Sequence, residues 1–303
     1  MEQATLIAEN LTKVIGRKTI VENVSFELRP SEVFGFLGPN GAGKTTTIRM
    51  LVGLIRPTEG TVRICGHDIT REHEKALRCV GCIVETPDLY RFMTGRENLE
   101  HFARMLGRVE NREIERVAAL VALSNRLEDR VRTYSLGMRQ RLGIAQALLG
   151  SPRVLILDEP ANGLDPAGIR EIRGLLRSLA AEGGLSILVS SHLLAEIELM
   201  CDRVAIIHKG RILQTGKVSD LVSATREMEF SVDRPGPAAD IARSLGITPE
   251  LFDHTLRFPA GQDDAAAFIE ALTGAGIRVY RAQPYQRTLE EMFLEATGGE
   301  TVL

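Results

Sequence analysis

Two clusters of residues carry chemistry. Residues 38–45 read Gly38-Pro39-Asn40-Gly41-Ala42-Gly43-Lys44-Thr45, which fits the spacing G-x-x-x-x-G-K-[ST]. Glycines at this spacing let backbone N–H groups turn inward on an anion. Lys44 would reach the outer phosphates of a nucleotide and the Thr45 hydroxyl would meet Mg²⁺, so the expected phosphate site runs from Gly38 to Thr46. The second cluster is the acid pair Asp158-Glu159. Asp158 would hold Mg²⁺ through water, and Glu159 would orient or deprotonate the attacking water. Alone, such a pair would more simply cap the helix after Pro160; beside a phosphate loop it points to phosphoryl chemistry.

The elements around these residues are the ones the chemistry needs. Val33-Phe34-Gly35-Phe36-Leu37 enters the loop as a buried strand, and Thr45 to Leu54 leaves it with helical spacing, apolar at Ile48, Leu51 and Val52. The free N–H groups and dipole of a helix start favour an anion. Val154-Leu155-Ile156-Leu157 is a short apolar strand that delivers Asp158 and Glu159 to the same crevice. On an extended chain the two carboxylates face opposite ways, one to metal and one to water.

Tyr134-Ser135-Leu136-Gly137-Met138-Arg139-Gln140-Arg141 resembles the L-S-G-G-Q-x-Q-R signature of ABC ATPases, and it stands before Asp158-Glu159 as in that family. Asn162-Gly163-Leu164-Asp165 resembles the family's D-loop, and His192, after the strand Ile187-Leu188-Val189, its switch histidine. The resemblance covers about residues 3–222. It implies a P-loop NTPase cassette of α/β class with an inserted helical subdomain at about 94–150, ATP and Mg²⁺ as cofactors, and Glu159 and His192 as catalytic residues. It also implies that Ser135, Leu136, Gly137, Met138, Gln140 and Asp165 contact the ATP of a second cassette, paired head to tail. Ser135 and Gly137 precede an amphipathic helix, about Met138 to Leu149, which makes a second anion site.

Three departures narrow the resemblance. The family's adenine-stacking aromatic falls near Ile15, which is aliphatic. Its Q-loop glutamine aligns with Glu85, a third expected Mg²⁺ contact beside Thr45 and Asp158. Leu136 and Met138 stand where Gly and Gln are usual. Glu85, Ser135-Leu136-Gly137-Met138 and Arg139-Gln140-Arg141-Leu142-Gly143-Ile144-Ala145 together resemble the bacitracin-resistance and lantibiotic-immunity branch of bacterial exporters. That implies an ATP-hydrolysing motor subunit driving efflux through a separate membrane permease, peripheral on the cytoplasmic face of the membrane. The alternatives are a soluble ABC switch acting on ribosomes or DNA, and an importer ATPase.

Composition agrees with this reading. The chain has 303 residues and a net charge of −3, without the basic stripe that nucleic acid favours, so no nucleic-acid partner is expected. No run approaches the roughly 20 apolar residues of a membrane span, and Met1-Glu2-Gln3-Ala4-Thr5 does not open a signal peptide. The four Cys form no disulfide framework. Residues 224–303 are different in kind, with 7 Arg, no Lys and 13 acids. Their alternating strand and helix patterns suggest a small α/β sandwich, and the ending Thr288-Leu289-Glu290-Glu291-Met292-Phe293-Leu294 resembles an accessory domain of single-cassette exporter ATPases. The cassette is therefore expected over 1–222 and the accessory domain over 224–303. Within the subdomain, Tyr90, Phe92 and Met93 either line a groove for a helix of the membrane partner or form core; the sequence leaves both open.

Overall fold

The run Val33–Leu37 is buried at all five positions, as is Val154–Asp158, so both strands lie inside a sheet covered on both faces. The computed structural model describes residues 3–107, 110–223, 227–285 and 288–297. Met1-Glu2, and residues 224–226, 286–287 and 298–303 of the expected accessory domain, lie outside the described residues.

In chain order, β1 (Leu6–Ile15), β2 (Lys18–Leu28) and β3 (Val33–Leu37) lead to α1 (Lys44–Leu51). Next come β4 (Glu59–Ile64), β5 (His67–Asp68), α2 (His73–Arg78) and β6 (Val80–Ile83). The α-helices α3 (Gly95–Met105), α4 (Asn111–Leu120) and α5 (Leu136–Leu148) follow, and then β7 (Val154–Asp158), α6 (Pro166–Gly183), β8 (Ser186–Ser191), α7 (Leu194–Met200), β9 (Arg203–His208) and β10 (Arg211–Lys217). One sheet has the order β10-β9-β3-β8-β7-β6, parallel throughout except for the edge strand β10. A second, antiparallel sheet runs β2-β1-β4-β5. Their shared core holds Phe26, Phe34 and Phe36, with ring centroids 5.4 and 5.3 Å from Phe26.

The chain divides into two units, Met1–Val218 with Phe293–Leu303, and Ser219–Met292. The second unit holds most of α8 (Val218–Ser223), then β11 (Glu227–Val232), α9 (Pro235–Ser244), β12 (Glu250–Phe252), β13 (Thr255–Pro259), α10 (Gln262–Gly274), β14 (Val279–Tyr285) and the start of α11 (Leu289–Ala296). Its sheet, β12-β13-β11-β14, is antiparallel and packs around Phe230, Phe258 and Phe268, whose centroids lie 4.9–5.0 Å apart. The sequence pattern misses β12, a three-residue edge strand exposed at every position, because without a buried face it has no alternation to read.

Two further details differ from the sequence reading. Helix α5 begins at Leu136 with Ser135 as its cap, so Gly137 lies in the first turn rather than before the helix. Glu159 is not extended. Its φ is 50°, so strand geometry ends at Asp158 and a left-handed turn, not strand alternation, aims the two acids. All four cysteines are free thiols. Among the described residues no helix is long and apolar enough to cross a membrane.

Candidate functional site

Strands β3, β8 and β7 are neighbours in the parallel sheet, and the chain leaves each of them at the same edge. Gly38 to Thr46, Ser191-His192 and Asp158-Glu159 are thus brought together by sheet order alone, at the carboxyl ends where α/β sheets bind ligands.

The phosphate loop turns on Gly41 (φ 78°) and Gly43 (φ 107°), conformations that glycine adopts without strain. Gly43 caps α1, and no side chain accepts from the first N–H groups of that helix. A helix start left uncapped beside a glycine loop is built to receive an anion. Lys44 is 5% exposed, and its ammonium donates to the carbonyls of Gly38 (2.7 Å) and Pro39 (3.3 Å). Thr45 and Thr46 are half-buried at the helix start, while Asn40 is exposed at the rim and Ala42 is buried beneath the loop.

Asp158 is buried, and its Oδ1 accepts a 2.5 Å bond from the Ser190 hydroxyl. Glu159 sits between two nitrogen groups: Lys44 Nζ is 3.3 Å from Oε1, and His192 Nδ1 is 2.6 Å from Oε2. The structure therefore brings Lys44, Asp158, Glu159 and His192 into one group. Among the described residues no cluster of three or more His, Cys, Asp or Glu side chains forms a metal cage.

Glu85 is held elsewhere. It follows β6 in a left-handed turn (φ 71°), and its exposed carboxylate pairs with the Arg49 guanidinium of α1 at 2.5 Å. In this structure it contacts a cation of the chain instead of joining Asp158 and Thr45 in a ligand set. The loop then packs on α5: a Cβ on Gly143 would stand 2.5 Å from Pro87. The missing methyl at Gly143 is what allows the Glu85 loop to lie against the helix that starts at Ser135.

The residues expected to meet a second cassette split. Ser135 and Leu136 are exposed and Gly137 and Met138 half-buried. The Ser135 hydroxyl accepts from the Met138 N–H, 3.2 Å, as a helix cap. Asp165 likewise caps α6 by accepting from Gly168, 3.0 Å. Leu136 packs on the same chain's D-loop, its Cδ2 3.3 Å from where a Gly163 Cβ would stand. Gln140 is 4% exposed with Oε1 unpartnered, so its side chain faces the interior rather than the surface on which Ser135 lies. Ile15, the last residue of β1, is exposed. Tyr90 and Phe92 are exposed, 41% and 67%, and so are not core. Asn98 fixes their loop, accepting from the Tyr90 N–H and donating to the carbonyls of Tyr90 and Thr94.

Sequence reasoning missed Ser190, Arg49 and Asn98. The visible signal for Ser190 was a pair of hydroxyl residues, Ser190-Ser191, closing an otherwise apolar strand. For Arg49 and Asn98 the pairing depends on chain distant in sequence or on loop conformation, which periodicity does not carry.

The family model that matches is "ABC transporter", over residues 21–162. An ABC transporter ATP-binding protein of Bacillus subtilis (strain 168), YhcH, is 48% identical over 297 residues, 98% of this chain and 97% of its own length. The bacitracin transport ATP-binding protein BcrA of Bacillus licheniformis is 38% identical, with 97% of each chain covered. A solved ATP-binding subunit of an ABC transporter superposes with a TM-score of 0.63 at 31% identity, covering 80% of this chain and 93% of that one.

Proposed function

Because the chain belongs to the family of ABC transporter ATP-binding proteins, we propose that it is the ATP-hydrolysing subunit of an exporter. Its cargo would be an antibiotic, a peptide or a similar molecule, carried by a separate membrane-spanning permease. ABC ATPases couple ATP hydrolysis to transport. The observation that carries the site assignment is the convergence of Lys44, Asp158, Glu159 and His192 under an uncapped helix start.

In this reading the phosphates of ATP occupy Gly38 to Thr46, with Lys44 on the outer ones. The donors fit Mg²⁺, which prefers hard oxygen ligands, takes few from protein and leaves the rest to phosphate and water. The Thr45 hydroxyl and Asp158 would hold it, with Glu85 a candidate third contact. When bound, the ion neutralises charge developing on the transferred phosphoryl group. Glu159 accepts the proton of the attacking water, and His192 holds the Glu159 carboxylate from its far side.

A second cassette, most simply another copy of the chain, would close Ser135 to Met138 and Asp165 over the bound ATP. The exposed Tyr90 and Phe92 would receive a short helix of the permease, which would keep the chain peripheral on the cytoplasmic face of the membrane. The 38% identity to a bacitracin transport ATP-binding protein favours export. The cassette, expected over 1–222, would correspond to the first unit, and the accessory packing or dimer-contact domain, expected over 224–303, to the second, Ser219–Met292. The test is ATP-driven efflux in vesicles that carry the chain with its co-purified membrane subunit. Vesicles holding Glu159→Gln should transport nothing, and equal efflux from both would refute the assignment.

A further inference from the structure

Ser190 lies on β8, between the strand that enters the phosphate loop and the strand that ends in Asp158. In register it is opposite Phe36 on one side and Asp158 on the other. It is fully buried. Its hydroxyl makes two bonds, one to Asp158 Oδ1 at 2.5 Å and one to the Glu159 backbone N–H at 2.9 Å. An ionised carboxylate only accepts, so the hydroxyl donates to Asp158 and accepts from Glu159. One small side chain therefore touches both acids, through different parts of each.

We propose that Ser190 is a positioning residue for ATP hydrolysis, aligning Asp158 for the metal and fixing the backbone turn that aims Glu159 at water. The bond to Oδ1 selects one carboxylate orientation and leaves Oδ2 for the metal or its water. The bond to the Glu159 N–H satisfies a donor at a residue held at φ 50°. That conformation costs free energy in a non-glycine residue and persists only when neighbours hold it. Donation to an anion polarises the hydroxyl and strengthens the bond it accepts, so the two contacts reinforce each other. Sheet register places the hydroxyl, so no nucleotide is needed to assemble it.

This inference rests on the ATPase reading above, and Glu159→Gln separates the two. If Glu159→Gln hydrolyses ATP like the parent, that reading fails first. If Glu159→Gln is inactive and Ser190→Ala turns over normally, only the role of Ser190 fails. Three variants at 190 are compared, each checked for a parental thermal midpoint. Ser190→Ala removes the hydroxyl, Ser190→Cys fills the space with a weak donor, and Ser190→Thr keeps the hydroxyl on a residue suited to a strand. Two quantities are read: kcat at saturating Mg²⁺, and Mn²⁺ binding followed by electron paramagnetic resonance with a non-hydrolysable ATP analogue present.

The Ala and Cys variants should lose about tenfold or more in kcat, the scale of one hydrogen bond to a charged group. They should bind Mn²⁺ several-fold more weakly while keeping metal-free nucleotide affinity, and the Thr variant should recover both quantities. A Cys variant that behaves like the parent means that volume, not the hydroxyl, matters, and it overturns the proposal. Parental kcat and Mn²⁺ affinity in Ser190→Ala overturn it as well.

Discussion

Lys44 Nζ stands 3.3 Å from Glu159 Oε1, so the cation expected on the phosphates is already engaged by the carboxylate expected on water. In the proposed reading, phosphate and Glu159 would compete for one ammonium, and ATP would draw Lys44 to its phosphates and release Glu159 toward the nucleophile, linking binding and activation through a single contact. Lys44→Ala removes the phosphate partner outright. Nucleotide affinity, read with a fluorescent ATP analogue, should fall below detection, and normal affinity would mean that the loop is not a phosphate site.

Glu159→Gln should give the opposite result on binding. It removes the anion that competes for Lys44, so ATP should bind at least as tightly as in the parent. Hydrolysis should fall by about 10²–10⁴, the usual contribution of a positioned base, and the variant should collect as an ATP-bound dimer on gel filtration. Weaker ATP binding in this variant would contradict the competition.

The phosphate loop, the acid pair and the strands beneath them were legible because each is a local pattern: an apolar run, then a polar group with one task. The left-handed turn at Glu159 was not, because no local pattern marks it and the Glu159 N–H donates to the hydroxyl of Ser190, 31 residues away. Its place in the signature puts Gln140 on the ATP of a second cassette, whereas helix α5 turns its side chain inward in this chain. The Glu85–Arg49 pair joins positions 36 residues apart, and neither residue alone is distinctive. Sequence therefore identified the groups, whereas their present partners depend on strand order and loop conformation.

Composite sites between two chains have their own test. Mix Lys44→Ala with Ser135→Arg, each of which should be inactive alone. A mixed dimer can place both lesions at one site and leave the other whole, so partial ATPase activity should return in the mixture. A mixture that remains inactive but still forms ATP-trapped dimers means that both sites must work together; one that forms none refutes sharing of Ser135.

The side chains of Glu85 and Arg49 are 62% and 43% exposed, and an exposed ion pair is worth about 0–1 kcal/mol. The bond is therefore cheap to break, and Glu85 is free to leave Arg49 for a stronger cation. Mg²⁺ beside Asp158 would be one, since carboxylate oxygens are good ligands for it. If Arg49 and Mg²⁺ compete for Glu85, the two single variants move in opposite directions. Glu85→Gln should raise the free Mg²⁺ needed for half-maximal ATPase, because a ligand charge is lost. Arg49→Ala should lower it, because the competitor is lost. In the Glu85→Gln background Arg49→Ala should change nothing, since the carboxylate it acts through is gone. Thermal midpoints should stay close to the parent in all three proteins, as expected for a weak surface pair. The measurement is ATPase rate against free Mg²⁺ across the four proteins of the cycle. If Glu85→Gln needs no more Mg²⁺ than the parent, Glu85 is not a metal contact, and its pairing with Arg49 serves only to anchor the loop on α1. If both single variants raise the requirement, Arg49 supports Glu85 rather than competing for it, and the order of events at the metal must be reversed.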